Sequence, residues 1–168
     1  MKAGLIILKP TKSRGQKLSD NLEVYCRSFV RSHKSNDLQE MTISSDKAWS
    51  TLIEIFDHIR NEEDNKRIDP KLTKMETSKI IENVDQNALT SIIASKKIAP
   101  INNPQPCSLR ETLNKIAHFD KLNSTYRVTR SGAHYLVLSG LGKNAKAGPW
   151  VAEIHMSKLI KRCRQAIV

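Results

Sequence analysis

Thr125-Tyr-Arg-Val-Thr-Arg130, His134-Tyr-Leu-Val-Leu138 and Trp150-Val-Ala-Glu-Ile-His155 decide the fold class. Each is short and rich in β-branched or aromatic side chains, and Gly132 and the Gly140 to Pro149 stretch separate them. Such residues suit a pleated, half-buried surface, so a small antiparallel hairpin or three-stranded sheet is expected after Lys121. Ser157 to Ala166 then returns to helical spacing, with Leu159, Ile160 and Cys163 on one side and Lys158, Lys161, Arg162 and Arg164 on the other.

Upstream the apolar residues recur at three and four. Ser19 or Asp20 is placed to cap a helix carrying Leu22, Tyr25, Cys26, Phe29 and Val30, whose other face holds Arg27, Arg31 and Lys34. A second stripe runs from about Asp46 through Trp49, Leu52, Ile53, Ile55, Phe56 and Ile59. Residues 71–84 form an amphipathic stretch, and a further helix from Asp85 stops before Pro100. Ala99 to Cys107 holds three prolines and reads as an extended linker. Ser108 and Glu111 then make a capping box for a helix burying Leu109, Leu113 and Ile116. The expectation is an α+β fold in one domain, residues 1–168. A short strand and basic arm occupy 1–18, helices 19–122, and a β-hairpin with a terminal helix 123–168.

At 168 residues and 19.0 kDa the chain is long enough to bury an ordinary core without staples. Cys26, Cys107 and Cys163 show no CxxC spacing, which argues against a disulfide framework or zinc ribbon. The longest apolar run, Leu5 to Leu8, is too short for a membrane span or a signal peptide, so a cytoplasmic protein is expected. The net charge of +11 is segregated. Residues 1–34 hold eight basic and two acidic side chains, 35–95 seven and twelve, and 96–168 thirteen and three. Segregated positive charge favours an anionic partner, nucleic acid first, with an acidic protein as the other class. Lys115, Arg127, Arg130, Lys143, Lys146, Lys161 and Arg162 are the side chains expected to meet phosphate.

Leu113-Asn-Lys-Ile-Ala-His118 is the stretch best suited to chemistry. Asn114 and His118 lie one turn apart, and Arg110 one turn before Asn114. Imidazole, carboxamide and guanidinium on one face can move a proton, orient a group and stabilise phosphorane charge. An Asn and a His one turn apart also serve as a hydrogen-bonded pair that fixes a helix against a strand. Asn114 to His118 resembles the signature helix of HEPN domains, all-helical modules associated with RNA in prokaryotic toxins and phage defence. That resemblance implies RNA binding and metal-independent cleavage in a homodimer; on the helix-face reading His118 is the acid/base, Arg110 the charge stabiliser and Asn114 the orienting group. The motif arginine position, directly before Asn114, holds Leu113. The alternative is a HEPN-like module that binds nucleic acid or protein without cleaving. No cofactor is expected. His134 and His155 would lie nearly opposite each other if their strands pair, but no carboxylate or cysteine stands at ligand spacing, so no metal is expected either. Gly140 to Gly148 lacks the spacing of a phosphate loop and reads as a basic hairpin loop.

Overall fold

The computed structural model describes residues 12–142 and 147–167, and in these the chain is α+β. The Leu5 to Leu8 run, Lys143 and Lys146 lie outside the described residues. The Ser13 hydroxyl accepts a hydrogen bond from the Gln16 amide while the Gln16 side-chain oxygen accepts one from the Ser13 amide, and this capping box starts α1 (Arg14–Ser35). The helix therefore begins inside the segment expected to be a basic arm, and Ser19, expected as the cap, is buried within it. Asn36 ends α1 in the left-handed region, and Asp37 caps α2 (Leu38–Asp64) by accepting from the Glu40 amide. A two-residue turn thus makes an antiparallel helical hairpin, and α2 starts about two turns earlier than its apolar stripe suggests. Asp69 caps a single turn, α3 (Pro70–Thr73), and Asp85 caps α4 (Gln86–Ser95).

Two segments of the helical portion are strands. Glu76–Ile81 forms β1, and Gln105–Ser108 forms β2 within the proline-rich segment read as a linker. Pro106 is tolerated because β2 is an edge strand, where a missing N–H breaks no inner ladder. Ser108 ends β2 and caps α5 (Leu109–Ala117) through the expected box with Glu111. β3 (Asp120–Val128), β4 (His134–Gly140), β5 (Trp150–His155) and α6 (Met156–Ala166) complete the chain. All pairings are antiparallel, in the order β2-β1-β5-β4-β3, so β5 is central.

Alternation along the strands separates two cores. Leu136, Leu138, Trp150, Ala152 and Ile154 face α1, α2, α5 and α6, whereas Val137 and Val151 pack with Leu89 and Ile92 of α4. The helix α5 is fixed at β1 by a buried Ser78–Thr112 hydroxyl bond of 2.7 Å. Gly140 lies opposite Trp150, and a methyl group there would sit 2.4 Å from the indole Cζ2. Gly140→Ala is expected to cost about 1–3 kcal/mol by overpacking, read as a lower urea midpoint with an unchanged slope.

Candidate nucleic-acid interface

The helix carrying the expected catalytic group splits it. Arg110 turns toward α2, where its Nη1 lies 2.9 Å from Glu63 Oε2 and its guanidinium stands 6.0 Å from the centre of the Phe56 ring. Asn114 and His118 are exposed and line a shallow pocket with Phe119 and Trp150, which Arg110 does not line. The cation in that pocket is Lys115, whose Nζ stands 4.5 Å over the Trp150 ring. Leu113, at the motif arginine position, is fully buried in the main core. An amphipathic helix has one buried stripe, and position 113 belongs to it.

Several residues expected to meet phosphate have partners within the fold. Arg127 lies 4.2 Å over the Tyr135 ring and 3.4 Å from Glu153 Oε2. Arg162 donates to the Glu76 carbonyl at 3.2 Å and to Gln165 at 2.9 Å, tying α6 to the start of β1. Lys115, besides its ring contact, reaches Glu82 at 3.9 Å. These three act first as packing groups. Arg130, in the β3–β4 turn, and Lys161, on α6, are exposed, with no acidic partner among the described residues. Tyr135 rather than His134 pairs with His155, and the two rings stack at 4.7 Å. A one-residue offset sends His134 to the opposite face, where it stacks on Phe29, so the histidine pair expected across this ladder does not form.

The exposed cations converge elsewhere. Arg27, Arg31 and Lys34 follow one face of α1, and together with Lys161 and Arg164 of α6 and the Gly132–Ala133 turn they line one groove. Gly132 is at φ 90°, a conformation suited to glycine, and a Cβ there would meet Lys34 Nζ at 3.2 Å. Two acids sit at the groove's edge. Glu23 bonds both Arg164 and Arg27, and Asp20 bonds Lys12 and, at 2.9 Å, Arg164. The Arg164 guanidinium holds the Glu23 carboxyl below the usual range, and Lys12 with Arg164 does the same to Asp20. Both acids are thus already committed to cations. Arg31, Lys34 and Lys161 have no acid within salt-bridge distance among the described residues. Three uncompensated charges in a concave surface make a local positive field.

No family model, no curated protein and no solved structure matches the chain. The groove's chemistry therefore stands on its own residues. Its two α1 cations, Arg31 and Lys34, were visible in the sequence as part of a polar helix face. What the sequence does not show is that α6 and the β3–β4 turn lie beside that face. The cysteines contribute no nucleophile, since burial pushes the Cys26 and Cys163 thiols up to about 12 and raises Cys107. Among the described residues no three His, Cys, Asp or Glu side chains gather as metal ligands. No helix among them is long and apolar enough to cross a membrane.

Proposed function

We propose that this chain is a nucleic-acid-binding module that holds the phosphates of a strand, RNA foremost, in the groove between α1 and α6 without cleaving it. The observation that carries this reading is the convergence of Arg31, Lys34 and Lys161, free of acidic partners, from elements more than a hundred residues apart. Phosphate contacts of this kind give affinity without sequence readout and make it salt-dependent. The non-cleaving half of the reading follows from α5. A phosphorane needs a cation free to meet it beside the acid/base; Arg110 is directed to Glu63, and Lys115, the cation in the His118 pocket, is engaged by the Trp150 ring and Glu82.

Fluorescence anisotropy with a labelled single-stranded RNA, titrated at several salt concentrations, tests both halves. The triple variant Arg31→Ala, Lys34→Ala, Lys161→Ala is expected to bind at least about tenfold more weakly at low salt. Its slope of log affinity against log salt should fall by about 2, near 0.7 for each lost contact. His118→Ala should bind as the parent does, and the parent should return the RNA intact. An unchanged slope in the triple variant rejects the groove, and RNA products that disappear in His118→Ala reject the non-cleaving reading.

A further inference from the structure

The acids of this basic chain are almost all committed. Among the described residues every Asp and Glu side chain accepts a hydrogen bond or forms an ion pair, except Asp46, Glu54 and Asp57. Those three are exposed, and all belong to α2. Helical spacing puts Asp46 and Asp57 on one stripe with Ser50 and Ile53, opposite the face that buries Ser44, Ile55 and Ile59, and Glu54 flanks it. Ile43 and Ile53, each 39% exposed, lie on the same side. One exposed apolar side chain is ordinary on a protein surface. Here two of them share a helix face with the only acids left unpaired among the described residues of a chain that holds 28 Lys and Arg. From Ile43 to Asp57 this acidic and apolar stripe is about 20 Å long.

The groove between α1 and α6 has the complementary character. Arg31, Lys34 and Lys161 bring three cations without acidic partners, and Val30, Ala133 and Ile160 line the groove with them. A helix seats in such a groove through its apolar residues, while facing charges set partner and register. The α2 of the same chain cannot reach it. That helix lies against the side of α1 that carries Tyr25 and Ser28, where Ser28 donates to Glu40 at 2.7 Å and Lys47 stands 5.8 Å over the Tyr25 ring. At about 100° per residue Val30 and Lys34 fall on the far side of α1, so the groove opens away from α2.

We propose that the α1–α6 groove takes the acidic stripe of α2 from a second copy of this chain, so that copies associate head to tail. The two surfaces differ, so each contact leaves a free groove at one end and a free stripe at the other. The net charge of +11 repels copies at long range, but at about 0.1 M salt, with a Debye length of about 10 Å, charges in contact outlast that repulsion. A strand in the groove would meet the same three cations, so RNA should displace the second copy. Only that competition rests on the nucleic-acid reading above.

Sedimentation velocity of the full chain over a wide range of concentration tests the proposal. At about 0.1 M salt the weight-average mass should climb above 19.0 kDa as concentration rises, and at about 0.5 M it should fall back. Reversing the stripe (Asp46→Lys, Glu54→Lys, Asp57→Lys) should hold the chain at monomer mass, and so should reversing the groove (Arg31→Glu, Lys34→Glu, Lys161→Glu). An equal mixture of the two variants should associate again, because each then faces the other with opposite charge at both surfaces. If a variant fails to fold, the parent's amide resonances replace it, and those that shift with concentration should fall in residues 43–57 and the groove. The proposal is rejected if the parent stays monomeric at every concentration, if stripe reversal leaves association unchanged, if the mixture stays monomeric, or if the shifting amides lie elsewhere. RNA binding by a parent that never associates rejects it and leaves the nucleic-acid reading standing. Association of a parent that binds no RNA supports it and rejects that reading.

Discussion

Leu113→Arg, which places an arginine where the HEPN signature carries one, is expected to unfold the protein and to create no ribonuclease. Leu113 is fully buried, on the stripe of α5 that also carries Leu109 and Ile116. A guanidinium there enters the apolar core that Leu113 fills. Leaving one charge buried and unpaired costs about 3–5 kcal/mol, and the lost leucine packing adds to it. A domain of this size has about 5–15 kcal/mol in total. Far-UV circular dichroism and a urea titration should show a protein unfolded or close to its midpoint without denaturant. Leu113→Met preserves volume and apolarity and should stay within about 1.5 kcal/mol of the parent. A folded Leu113→Arg protein would mean that α5 presents a different face to the core.

Acid should destabilise the protein well before its carboxylates titrate. The imidazole of His134 is pushed from the ordinary 6.5 to about 4 by burial first and by the charges of His33 and His155 second. The unfolded chain binds a proton at this residue near 6.5, while the folded chain refuses it until about 4. Stability therefore holds above pH 6.5, falls as the pH drops through that window, and levels off for this group below about 4. Across the window the loss amounts to about 3 kcal/mol. His155, also lowered by burial, contributes in the same direction. Asp20 and Glu23 are shifted down by their basic partners, so their contributions disappear only at lower pH. Urea midpoints measured from pH 7.5 to 4 should show this slope, and His134→Phe should flatten most of it. A flat parent curve over the same range would mean that His134 is solvated.

Much of the fold was legible where the signal is local. Ser108 and Glu111 marked the start of α5, and alternation with β-branched residues marked β4 and β5 nearly to their ends. What escaped depends on distant partners. Glu76 to Ile81 continues the spacing of Leu72 and Met75 and so reads as amphipathic, but its ladder partners are β2 and β5, the latter some seventy residues away. Pro104 and Pro106 suggest a linker until β2 is seen to be an edge. The early start of α1 was hidden because Ser13 and Gln16 sit among basic residues that resemble a loop. The site followed the same rule. Arg127 and Arg162 look like free cations in sequence because Glu153, and the Glu76 carbonyl, are brought to them only by the sheet. Histidine placement turned on a single residue of register, which charge and composition do not report.

The central position of β5 governs when this protein can fold. Both inner ladders of the sheet, to β1 and to β4, close on residues 150–155, and α6 then covers the core beside α5. A nascent chain that has reached residue 142 can pair β1 with β2 and β3 with β4, but both pairs keep an open inner edge until β5 is made. At about 5–20 residues per second this exposed species persists through the synthesis of the last strand and helix and their passage out of the ribosome. Pairing across some seventy residues is slow relative to contact between helices adjacent in sequence, so the α1–α2 hairpin is expected to form before the sheet closes.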